Sequence, residues 1–479
     1  MKNKFKELFG ADLRSLALLR MAMAALVLMD LAERSMDIGA FYTDAGVLPR
    51  RALFEYFPEP ARFSIHLISG VWQIQAILFL AAAIFAVALF AGYRTRSVSF
   101  LSWFFLVSLQ VRNPLIYTLG DQMLRLMLFW GIFLPWGSRW SVDSHSNPVP
   151  QESSSHVFSM ATFAYAAQII FMYTFAAYCK SGAEWRKEYT AVFYTLNLDF
   201  LASSLGNYLL NFPSLLKLMT FFVVWLETLG PVFLFFPFWT GPIRMVALSF
   251  FIFMHLGIMA TMTIGFLPWV SIAALFGLVP SFFWDKIIPA FKTQPSLEPI
   301  SRSPSTKKAF SVVCDSFIAA SLVYSFFWNI WVVPQSWFKM PPSAVWVGKL
   351  LYLEQGWNVF APYPPKEDGW FVMPGTLKNG ESVDLFRGGE AVRWEKPRLV
   401  SKEFKNDRWA KYLEQVNMKI HHGLRAYYAH YLCRQWNSHH PPERALRQFE
   451  MYYMREQTLP GLHTSPPQKI LMWSHKCAG

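Results

Sequence analysis

Gln168–Trp185, QIIFMYTFAAYCKSGAEW, is an apolar run that ends on Lys180, with Trp185 five residues beyond it. Together with the residues upstream, from about 158, the run is long enough to cross roughly 30 Å of hydrocarbon as a helix rising about 1.5 Å per residue. A lysine at such a border has two readings. It is an ammonium that reaches for lipid headgroups along its alkyl stem, or it is an amine buried for chemistry. An amine accepts a proton only when neutral, a state that a low-dielectric pocket without a paired carboxylate favours. Phe175, Ala176, Ala177 and Trp185 would form the walls of that pocket. A surface Lys180 bonded to Glu184 would mark the anchor instead.

Composition widens the argument to the whole chain. Of 479 residues, 54% are apolar, 18% aromatic and only 16% charged, which predicts lipid as the solvent for much of the surface. The formal charge of +13 does not predict nucleic-acid binding, because the lysines and arginines fall between or after apolar spans, where topology accounts for them. The four cysteines have no CxxC spacing, and the histidines beyond residue 420 lack HExxH, so no metal site is expected. A P-loop, a dinucleotide glycine fingerprint and a serine elbow are absent from the sequence as well.

Apolar stretches near 12–32, 67–92, 98–112, 122–137, 158–179, 214–237, 245–262, 267–283 and 309–333 predict about nine transmembrane helices. The N-terminal run has no small-residue cleavage site and reads as a retained first span. Lys2, Lys4 and Lys6 predict a cytoplasmic N-terminus, and Arg94, Arg96, Arg139, Arg244 and the cluster Lys286, Lys292, Arg302, Lys307 and Lys308 return to the same side. An odd span count then puts residues 334–479 outside the cytoplasm. Their Lys378-Asn379-Gly380 reads as a β-turn between strands, and the stretch from Asn406 to Trp436 as helix. The expected fold is an all-α polytopic membrane protein with a small α+β extracytoplasmic C-terminal domain, joined by a Pro- and Ser-rich cytoplasmic linker over 291–308 and a final span over 309–333.

Charges inside spans are costly unless they are paired or face a polar cavity. Arg20 and Glu227 stand at comparable depth and are expected to pair, either as structural glue or as part of a quinone or proton site. Asp121 and Arg125, four residues apart, suit an intrahelical salt bridge. His255 lies near mid-depth and suits either a helix-to-helix hydrogen bond or chemistry. Cys433 and Cys477 are the two cysteines expected in the oxidising compartment, so they are a candidate disulfide.

Several of these stretches resemble one family. Tyr173, Lys180 and Trp185 resemble the lysine motif of the vitamin K-dependent gamma-carboxylase family, whose bacterial relatives carry the horizontally transferred transmembrane (HTTM) domain. Tyr42–Arg50, YTDAGVLPR, resembles another of its elements, as do Trp140–Asp143 and the turn of Gly265, Phe266, Pro268 and Trp269 with Leu267 inserted. The resemblance spans residues from about 10 to 285 and implies an HTTM domain over 1–290 in a bacterial inner membrane. It implies Lys180 and His255 as catalytic residues, and a quinol pocket with Tyr173, Trp185, Glu227, Phe266 and Trp269. The implied cofactor is menaquinol or vitamin K hydroquinone, and the implied partners are membrane lipid and a secreted peptide substrate. The implied activity is oxidation of the quinol by oxygen coupled to modification of a peptide or lipid. The alternative is a non-enzymatic accessory factor for maturation or export of a secreted peptide.

Overall fold

All nine apolar stretches fold as helices, and among the described residues six helices are long and apolar enough to cross a membrane. The computed structural model describes residues 2–58, 63–146, 155–287, 306–334, 336–459 and 463–477. The six are α1 (Leu13–Ser35), α2 (Trp72–Ala91), α5 (Met160–Cys179), α6 (Pro213–Leu234), α7 (Thr240–Thr261) and α9 (Thr306–Val332). The other three are α3 (Thr95–Arg112), α4 (Leu119–Gly131) and α8 (Leu267–Phe276). Six such helices do not confirm the expected count of about nine spans. The physical reason is plain in α4, where every residue from Gly120 to Gly131 is buried in protein. A helix enclosed by other helices is apolar on all sides without having to reach from one membrane face to the other. The linker expected over 291–308 lies, up to residue 305, outside the described residues.

Local chemistry sets the helix ends. Ser159 and Thr162 form a capping box at the start of α5, and Thr118 and Asp121 form another at the start of α4. Pro213 opens α6 at the position where its missing N–H is harmless. Helix α2 stops at Gly92, whose φ of 71° is the left-handed conformation that closes a helix.

The C-terminal part mixes sheet and helix. Strands β1 (Glu367–Val372), β2 (Pro374–Leu377) and β3 (Ser382–Asp384) precede helices α10 (Asp407–Asn417) and α11 (Leu424–His439) and strands β4 (Leu446–Leu459) and β5 (Gln468–Lys476). The long β4 is the centre of this antiparallel sheet, pairing with β1, β2 and β5. β2 and β3 form a hairpin whose turn holds Gly380 at a φ of 89°, as the Lys-Asn-Gly sequence predicts. Cys433 of α11 and Cys477 are joined in a disulfide, with their Cα atoms 5.7 Å apart.

Three sets of contacts seat the sheet region on one end of the bundle, termed here the sheet end. In the first, Arg408 of α10 reaches between α1 and α4, donating to Asp30 at 2.6 Å and to Asp121 at 2.5 Å, while Arg34 also bonds both carboxylates. All four side chains are buried. In the second, Gln122 of α4 holds both the N–H and the carbonyl of Gly356, and Trp328 of α9 donates to the Gln355 carbonyl at 3.1 Å. In the third, Lys396 joins Asp199 and Glu456 at 2.5 and 2.6 Å, and the Asp199 amide donates to the carboxylate of Asp368 on β1. Burial, reinforced by the neighbouring Asp199 carboxylate, pushes the Asp368 carboxyl well above the usual range.

Candidate functional site

Lys180 is the residue at which α5 ends, and it turns inward. Two carbonyls left open at this helix end, those of Ala177 and Lys180, accept from the Arg186 guanidinium, the latter at 2.9 Å. With its backbone held this way, Lys180 places its ammonium 2.7 Å from a carboxylate oxygen of Glu227 on α6. It also lies 5.3 Å from the centre of the Trp185 ring. Both members of the pair are buried.

The pair lies in the wall of a cavity of about 580 Å³. Tyr173 and His255 line the same cavity, and their side chains share a hydrogen bond of 3.0 Å between the phenol oxygen and Nε2. Phe251 stacks on Tyr173 with ring centres 4.0 Å apart and fixes its plane. His255 Nδ1 has no hydrogen-bond partner. The remaining wall is mostly apolar, with Met172, Leu196, Phe222, Val223 and Met254 among the lining residues. An ammonium–carboxylate pair and a phenol–imidazole pair in otherwise apolar surroundings suit an amphipathic ligand with a small oxygen-bearing head.

Five of the residues singled out in the sequence, Tyr173, Lys180, Trp185, Glu227 and His255, are thus brought to one cavity. Others are not. Phe266 and Trp269 stand outside the wall, which takes Leu267, Pro268 and Ser271 from the same stretch instead. Phe266 packs near the Arg408 guanidinium, and Trp269 is about half exposed. Arg20 does not meet Glu227. It donates to the Trp140 carbonyl at 2.5 Å, because similar depth in a bundle does not put two residues on facing sides. Asp121 and Arg125 do not bond each other either: Asp121 faces Arg34 and Arg408, while Arg125 donates to the Glu354 carbonyl at 2.6 Å. The free amine expected of Lys180 is also corrected, since a carboxylate sits against it; Glu184, the alternative partner, bonds Lys366 at 2.6 Å.

Sequence reasoning missed the part of the site that comes from the C-terminal region. Trp357, Val359 and Phe360 complete the cavity wall. The Phe360 carbonyl accepts from the Trp185 indole at 2.9 Å, and the Pro362 carbonyl accepts from the Gly182 amide at 3.1 Å. Arg186 was also missed, although a basic side chain just past a helix C-terminus is a usable signal. Among the described residues, no group of three or more His, Cys, Asp or Glu could hold a metal ion. Comparisons of the chain with family models, curated proteins and solved structures find no match.

Proposed function

We propose that this is an integral membrane protein that binds a membrane quinol, of the menaquinol or vitamin K hydroquinone type, in the 580 Å³ cavity and promotes its oxidation. The observation that carries the reading is the Lys180–Glu227 ion pair buried in that cavity's wall. The pair, rather than a lone neutral amine, is the working unit. A quinol hydroxyl set between the two groups gives its proton to the Glu227 carboxylate, and the Lys180 ammonium holds the quinolate oxygen that results. Tyr173 and His255 would orient the second hydroxyl. Dioxygen then takes the electrons of the quinolate, and the reactive product is used to modify a peptide or lipid, the last step resting on the family resemblance alone. The resemblance and the basic connections also support a bacterial inner-membrane location with the sheet end in the periplasm.

The test is direct. Protein purified in mild detergent is extracted with organic solvent and its bound lipids are identified by mass spectrometry; oxidation of added menaquinol is then followed in proteoliposomes. A co-purifying quinone and turnover that falls to background in Lys180→Ala are expected. Absence of any quinone, together with full activity of Lys180→Ala, would leave the accessory-factor reading in its place. Alkaline phosphatase fused to the C-terminus should be active, and a silent fusion would overturn the orientation.

A further inference from the structure

Helices α6 and α7 run antiparallel and do not stay together along their length. They touch where Gly230 of α6 meets Phe251 of α7, so closely that a Cβ on Gly230 would fall 2.4 Å from the ring. Phe222 of α6 still reaches Phe250 and Phe253 of α7, with ring centres 6.0 and 6.4 Å apart, and space opens beyond them towards the sheet end. A Cβ added to Gly257, on α7, would meet no atom within 4 Å, yet Gly257 lines the cavity. Leu218 on α6 and Phe253 on α7 also line it, and they are 62% and 68% exposed at the surface of the bundle. The cavity therefore runs from a rim on the lipid-facing side of the bundle to a buried end at Lys180, Glu227 and His255. Large apolar residues on such a rim carry no penalty against hydrocarbon, whereas in water they would.

The geometry points to a lateral portal: the cavity takes its ligand from the lipid leaflet at the sheet end, head first between α6 and α7, and the ligand's hydrocarbon chain stays in the gap over Gly257. Gly257 is then a specificity-determining residue, because a bulky side chain there would fill the passage a chain must occupy. The occupant is a membrane-dissolved lipid with a long chain and a small hydroxyl or carbonyl head. A water-soluble molecule has no use for such a rim, and on the side of the C-terminal region the wall is made by Trp357, Val359 and Phe360. The inference rests on the cavity being a ligand site, and it does not require the head to be a quinol.

A long-chain alcohol carrying a diazirine midway along the chain tests the portal without any quinol chemistry. The probe is added to proteoliposomes of phosphatidylcholine holding the full chain, photolysed, and its adducts are mapped by peptide mass spectrometry. Wild type should carry adducts at the rim, on Leu218 or Phe253, and also on Met172 and Met254, which line the cavity and are buried from the surface. In Gly257→Trp the Met172 and Met254 adducts should be lost while the rim adducts persist, the latter showing that the variant is folded in the bilayer. Gly257→Ser should label as wild type. Deep adducts absent from wild type, or unchanged in Gly257→Trp, overturn the portal. Failure of quinol oxidation with deep labelling intact would overturn the quinol alone.

Discussion

At the scale of single residues, the Lys180–Glu227 pair makes a prediction that neither group makes alone. If the two act as one proton-handling unit, removing either removes the unit, and removing both adds nothing further. Lys180→Ala and Glu227→Gln should each lower quinol oxidation by about 10²–10⁴-fold, the usual range for a lost acid–base group. The double variant should be no worse than the weaker single one. Multiplying losses in the double variant, measured as initial rates in proteoliposomes, would show two independent roles instead. Both singles also leave a buried partner: an uncompensated charge there costs about 3–5 kcal/mol, so thermal midpoints in detergent belong beside every rate. Lys180, Glu227 and His255 were legible in the sequence as polar groups at unusual places in apolar runs, and Tyr173 and Trp185 through the family resemblance. Their partners were not. Depth along a span gives height but not direction, which is how Arg20 was assigned to Glu227 and Asp121 to Arg125. The true partners of Asp121, Arg34 and Arg408, lie 87 and 287 residues away.

At the scale of elements, Arg408 is the side chain of α10 that bonds carboxylates on both α1 and α4, while Trp409 and Tyr412 pack on Phe41. Arg408 compensates two carboxylates that Arg34 alone cannot neutralise, so Arg408→Ala leaves net negative charge buried between α1, α4 and α10. A loss of about 3–5 kcal/mol is expected, the range for breaking a buried charge network by removing one partner. Limited proteolysis should then cut within 334–459 faster than in wild type, and an unchanged cleavage rate would remove Arg408 from this role. Existence of the nine helices was legible because long apolar runs leave little else to form. Which of them cross a membrane was not, since a helix enclosed on all sides by protein, as α4 is, and a short span facing lipid have the same composition. The β2–β3 hairpin was legible from Lys378-Asn379-Gly380 for the opposite reason: a turn that needs positive φ names its own residue.

At the scale of the whole molecule, the junction between bundle and sheet carries a pH dependence. Asp368 holds its proton more tightly folded than unfolded, so the folded state binds more protons between about pH 4, the ordinary aspartate value, and the raised folded value. Stability at this contact is therefore greatest at low pH and declines as pH rises through that window. Asp368→Asn removes the titration. Its thermal midpoint in detergent should gain on wild type as pH is raised from 4 to 8, and a difference that stays constant over that range would discard the assignment. The network around Arg408 has a consequence of another kind, in the timing of biosynthesis. Asp30 and Arg34 leave the ribosome together, and Asp121 joins them early, giving a trio with a net charge of −1. Their fourth member is 287 residues behind Asp121, a delay of roughly 15–55 s at about 5–20 residues per second. Through that interval the nascent bundle carries a surplus carboxylate at the seat of α10, and only a chain translated past residue 408 can quench it. A truncated product would keep that charge for its lifetime, and a quality-control protease that recognises uncompensated charge in a helical bundle would have a means to tell it from the finished protein.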